Sequence, residues 1–194
     1  MFDHYFQSRF LAWRTGLPSW LIRDLRKTGT SIGQLQGLDD CWQLTNAAGV
    51  VVTTPKNGGS IALKRIRNRL EGRPFSAYLN DLGFGTRPDA VAIISGTDPY
   101  HYLDIVRTNS ATRGVSPDEV VARIRAWEAR YGFTLDGAGF DWLLGTFSKP
   151  PDDWQQLAAE VQEFAPDVVD KGAGDIDALA SELERLNGIY AWWD

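Results

Sequence analysis

"GIYAWWD", residues 188–194, closes the chain on two adjacent tryptophans and an acid. Chain ends are ordinarily polar and frayed, so this much apolar area predicts a strand paired inside a sheet. Strand alternation puts Ile189, Ala191 and Trp193 on one face, and Tyr190 and Trp192 on the other. Both tryptophans are expected in the core, with helices over both faces. A Lys or Arg is expected beside Asp194, because a carboxylate against an apolar strand needs compensation. The rival reading makes the pair an exposed patch for a partner.

Outward from that strand, two helices precede it, at roughly 152–164 and 176–186, the second capped by Asp175. Before them "FTLDGAGFDWLLGTF" (133–147) reads as two strands around a Gly-rich turn. "SPDEVVARIRAWEARYG" (116–132) carries the strongest helix signals. Ser116 is the cap, Pro117 takes the first position, Glu119 completes a capping box and Gly132 stops the helix. Val120, Ile124, Trp127 and Tyr131 form its apolar stripe. "DAVAIIS" (89–95) is a buried-strand run, and a Gly-Thr-Asp-Pro turn leads into the apolar stretch "HYLDIVRT" (101–108), read as the following strand.

The first half is less regular. Phe2, Phe6, Phe10 and Trp13 share one helical face, and Ser19 is the expected cap of a short helix, "WLIRDLRKT". "CWQLTNAAGVVVTTP" (41–55) reads as two strands joined near Asn46–Gly49. A basic helix follows in "NGGSIALKRIRNRLEG" (57–72), with Leu63, Ile66 and Leu70 inward. Strands and helices mix without strict βαβ alternation. That predicts an α+β fold: a largely antiparallel sheet with helices packed on it and the N-terminal helices as an extension. Residues 1–89 are expected to form an N-terminal region packing on a C-terminal domain of residues 90–194.

Composition narrows the class. The chain has 194 residues, 43% hydrophobic and 23% charged, which suits a globular protein. Cys41 is a lone cysteine, so no intramolecular disulfide forms, and a reducing cytoplasm is expected. The opening "MFDHYFQSRFLAW" lacks the basic-then-apolar order of a signal peptide, and no uninterrupted apolar run of about 18 residues exists to cross a membrane. Charge is uneven: residues 1–97 carry 12 basic and 7 acidic side chains, and residues 98–194 carry 8 basic and 18 acidic. The plain reading is an asymmetry tolerated on a solvated surface; the sharper expectation is that the acidic half meets a basic partner or docks against the basic half.

The C-terminal half resembles the bacterial family known as domain of unknown function 4253. The resemblance covers about residues 90–194 and rests on motifs in order: Asp98-Pro99-Tyr100; "VRTNS" with Thr108 and Asn109; "AWEARYGF"; "GAGFDWL" around Asp141; "EFAPDVVDKGAGDIDALASEL"; and the final "WWD". Two positions depart from the family pattern. Ala165 stands where a Cys commonly precedes the Pro-Asp pair, and Lys171 stands where a Gln commonly precedes the Gly. Any thiol chemistry at the first position is therefore lost here. The resemblance implies a fold neighbourhood and no established activity. Such bacterial families often sit beside secreted toxins as immunity proteins, an association without a mechanism.

Asp167, Asp170, Asp175 and Asp177 crowd one loop, but counting from Asp170 puts glycines at the third and fifth positions, so the EF-hand template fails and a capped turn is expected. "NGGS" opening a basic helix offers amides to an anion but lacks P-loop spacing. Lys64, Arg65, Arg67, Arg69 and Arg73 are read as a solvated face and not a nucleic-acid contact, given a pI near 5.1. His4 and His101 lie in no nucleophile motif, and Asp98 with His101 is read first as a turn. No metal, cofactor or nucleic acid is expected. The favoured function is a non-catalytic cytoplasmic protein-binding protein, most concretely an immunity protein that neutralises a basic toxin domain through an acidic, aromatic-rich surface. The candidate binding residues are Asp98, Tyr100, Asp141, Asp152, Asp153, Glu160, Asp167 and Asp170. The alternative is an enzyme of unassigned class using carboxylates around Asp98, Asp141 and Asp167.

Overall fold

A computed structural model describes residues 2–110 and 112–194, with side chains from Phe6 onward; the side chains of Phe2 and His4 lie outside the described residues. The chain divides into two compact units between Val106 and Arg107. Its architecture is α+β, and the strand pairings within each unit are antiparallel.

The first unit contains α1 (Phe2–Thr15), α2 (Ser19–Leu25), β1 (Ser31–Leu38), β2 (Leu44–Thr53), α3 (Gly59–Leu70), β3 (Phe75–Asp81), β4 (Ala90–Ser95) and α4 (Pro99–Val106). Its strands pair in the order β1-β2-β4-β3. Val91 to Ile94 are all buried, which is why β4 reads as a continuous apolar run and lies between two partners. α3 packs on β3 and β4, and α1 packs on β1 and β2.

Several expectations change here. β2 is one continuous strand; its turn lies at Asp39–Gln43, where Asp39 Oδ1 accepts from the backbone N–H groups of Cys41 and Gln43, and not at Asn46–Gly49. The carboxylate-held turn outcompetes the weaker signal of Asn46 and Gly49, which two alanines separate. "HYLDIVRT" is helical through Val106, with Arg107 and Thr108 beyond the helix: Asp98 Oδ1 accepts the Tyr100 N–H at 3.0 Å and Pro99 opens the helix. Tyr102, Leu103 and Val106 are its buried face. Ser19 is the first helical residue of α2, with Pro18 at the cap and no side-chain cap bond. The aromatic stripe of α1 points outward: Phe6, Phe10 and Trp13 are exposed, while Ser8 and Thr15 are buried and Arg26 Nε donates to Ser8 Oγ.

The second unit contains α5 (Pro117–Tyr131), β5 (Phe133–Ala138), β6 (Trp142–Phe147), α6 (Trp154–Phe164), a π-helical turn (Val168–Ala173), α7 (Ile176–Leu186) and β7 (Gly188–Trp192). Its strands pair in the order β5-β6-β7, with α6 on α7 and α5 on β5. The Ser116 capping box and the left-handed Gly132 (φ 60°) frame α5 as expected. Ile189, Ala191 and Trp193 are buried, whereas Tyr190 and Trp192 are half-buried. The alternation holds, but the second face of β7 is only partly covered.

Candidate functional site

The motifs of the second unit converge on Asp167. It follows α6 and Pro166, its side chain is fully buried, and burial of a carboxylate demands donors on every side. Arg113 supplies the main one, with Nη2 bonded to Oδ1 and Nε 3.4 Å from Oδ2. The backbone N–H of Asp194 donates to Oδ2 at 3.1 Å, and Lys171 Nζ stands 3.6 Å from Oδ1 and 3.1 Å from the Asp194 carboxylate. The Arg113 bond, joined by the Asp194 amide, lowers the Asp167 pKa to about 2. Bonds to Asp167 raise Arg113, and the bond to Asp194 raises Lys171.

Arg113 is aimed by the "VRTNS" segment. Thr108 Oγ1 donates to the Gly139 carbonyl at 2.6 Å, and the Asn109 N–H donates to the Phe140 carbonyl at 2.9 Å, pinning the segment to the β5–β6 turn. Ser110 and Val115 then exchange two backbone bonds that close a tight loop over Arg113. Gly139 is required in that turn, since a Cβ there would lie 2.2 Å from Trp142 Nε1. Trp193 completes the assembly: its N–H donates to the Asp141 carbonyl, its indole N–H to the Phe164 carbonyl, and its ring meets Phe164 edge-on at 5.0 Å. Lys171 is the cation expected beside Asp194.

The other candidate residues do different work. Asp141 is exposed and joins through its backbone, not its carboxylate. Asp170 is exposed, and its charge helps raise Arg113. Asp153 caps α6 by accepting from the Gln156 N–H, and Glu160 takes both its bonds from Arg130 Nη1 at 2.8 Å. Asp152 is exposed. Asp98 caps α4 in the first unit, where Tyr100 is half-buried and His101 exposed. The loop carboxylates also separate: Asp167 faces Arg113, Asp175 caps α7, and no group of three metal-ligating side chains forms among the described residues. The amide that "NGGS" offers at α3 is taken internally, because the Gly59 N–H donates to Asp89 Oδ2 at 2.8 Å.

Arg113 and Asp89 escaped sequence reasoning. Arg113 lies 54 positions from Asp167, with no local pattern linking them. The usable signal is the Thr-Asn-Ser run, whose side chains favour backbone bonds over regular structure.

Residues 90–194, more than half of the chain, match the family Domain of unknown function (DUF4253). The chain belongs to that family. Neither the curated proteins nor the solved structures gave a match. The DUF4253 span begins at β4, ahead of the division at Val106, so it takes in β4 and α4 as well as the whole second unit. Within that span the Asp167 network gathers four motifs on which the resemblance rests. Chemically it is a lock. A carboxylate with four donor contacts and a pKa near 2 stays anionic and has no lone pair placed to take a proton from a substrate. Among the described residues no helix is long and apolar enough to cross a membrane.

Proposed function

We propose that this DUF4253 chain is a non-catalytic protein-binding protein, most concretely an immunity protein that blocks a basic toxin domain with the acidic surface of its second unit. The observation that carries the reading is how its carboxylates are used. The acids best placed for chemistry are committed to structure: Asp167 to Arg113, Asp98, Asp153 and Asp175 to helix caps. Residues 107–194 nonetheless carry 8 basic and 16 acidic side chains, a net charge of −8. Acids such as Asp152, Asp170 and Glu182 remain exposed to attract a basic partner. Catalysis needs a tuned acid or an activated nucleophile, and the geometry gives no support to the alternative built on Asp98, Asp141 and Asp167.

The test is capture of the C-terminal domain of the protein encoded beside this gene. Stoichiometric capture, with protection of cells from that domain, supports the reading. Failure to bind, together with turnover of a small substrate that Asp98→Asn abolishes, would replace it with the enzyme.

A further inference from the structure

A groove of about 450 Å³ runs between α5 and the end of α6. Its floor is Ala122 and Ala126, one turn apart on α5, with Val115 at one end and Phe164 as a wall. Phe164 is rigid there, because Trp127 and Trp193 both meet its ring edge-on, at 5.6 and 5.0 Å. The rim is charged. Glu163 is exposed and forms no ion pair among the described residues, and Glu119 is held anionic by the Ser116 N–H and hydroxyl. Both of those bonds fall on Oε2, so Oε1 keeps its lone pairs for an incoming cation. Arg123 leans over the Phe164 ring, 5.6 Å from its centre, and is the one cation of the lining among the described residues.

We infer that this groove docks a basic amphipathic helix of a partner protein, seating an aliphatic side chain against Ala122, Ala126 and Phe164 and placing Lys or Arg at Glu163 and Glu119. The inference rests on the protein-binding reading above and names its surface. Charge complementarity selects the occupant: two carboxylates outnumber Arg123 in the lining, on a unit of net charge −8, and this balance opposes an acidic helix and attracts a basic one. An apolar floor with small residues accepts the i, i+4 side chains of a helix. The polar groups stand at the rim and do not converge on a buried point, as an enclosed small-molecule site would require.

The probe is a Leu/Lys peptide of about 15 residues, roughly four helical turns, titrated into the ¹⁵N-labelled full chain beside its Leu/Glu counterpart. The Leu/Lys peptide is expected to shift the amides of Val115, Ala122, Ala126 and Phe164, and to bind more weakly as salt rises. Ala126→Trp, which fills the groove from an exposed position, is expected to weaken it about tenfold or more, the cost of losing one anchor. Glu163→Lys, which leaves the floor intact, serves as the second variant. Equal binding of both peptides, shifts confined to other surfaces, no binding, or full affinity in both variants would overturn the inference. Salt-dependent binding elsewhere on the second unit removes the groove and leaves the acidic-surface reading standing. Groove binding without capture of the neighbour-encoded domain removes the immunity reading and leaves the groove.

Discussion

Asp167 shows how a buried charge is made tolerable. Its side chain is fully buried, yet every oxygen meets a donor, and Arg113 and Lys171 keep part of their surface in water. Asp167→Asn exchanges two acceptor oxygens for one and leaves the cations without their counter-charge. Urea unfolding is expected to register a loss of about 1–3 kcal/mol, the cost of an unsatisfied buried polar group. The pH dependence has a definite sign. The folded pKa, about 2, lies below the ordinary 3.8, so the stability it confers is complete above 3.8 and is lost as pH falls through 2. Melts between pH 5 and 2 are expected to fall more steeply for the wild type than for Asp167→Asn; parallel curves would show that the carboxylate is not linked to folding. Trp193 is the apolar counterpart. Trp193→Ala is expected to cost about 3–5 kcal/mol. An unchanged melting temperature combined with lost binding would restore the reading of the terminal tryptophans as an exposed patch.

At the scale of elements, local chemistry was most readable where it did not compete with distant contacts. The Ser116 box, the Asp175 cap, the β5–β6 pair and β7 form from signals a few residues long. Ser116→Ala is expected to cost about 1 kcal/mol, and Asp153→Ala a similar amount, each read as a shift in urea midpoint with unchanged slope. A neutral Asp153→Ala would argue that α6 is set by packing alone. Reading failed where two patterns overlapped. "HYLDIV" is apolar enough for a strand, but the Asp98–Pro99 start and the buried face of Tyr102, Leu103 and Val106 go with a helix. The stripe of Phe6, Phe10 and Trp13 has true helical spacing, but periodicity does not say which face turns inward, and here small polar Ser8 and Thr15 do. β1 and β3 were not foreseen, because Gln34, Gln36, Ser76 and Asn80 interrupt their apolar runs. The Asp167 network was half legible: its motifs stand out in order, but the pairing with Arg113 is a long-range contact that no local pattern encodes.

Over the whole molecule, charge separates structural acids from available ones. Reversing Asp153 or Glu160 would strike a helix cap or the Arg130 pair, so neither is a clean probe of steering. Asp152, Glu182 and Glu184 are exposed, hold no cap and lie outside the Asp167 network, and their joint reversal to Lys is expected to leave folding intact. The second unit is proposed to bind a basic partner while its buried carboxylate holds the fold. The decisive measurement is the association rate with the neighbour-encoded domain, taken at low and at physiological salt for the wild type, the triple reversal and Asp167→Asn. Exposed charges are screened over about 8–10 Å, so the wild-type rate should fall steeply with salt, and the triple reversal should associate slowly at either concentration. Folded Asp167→Asn should associate like the wild type. Rates indifferent to salt and to the triple reversal, or a folded Asp167→Asn protein that no longer binds, would overturn the basic-partner proposal.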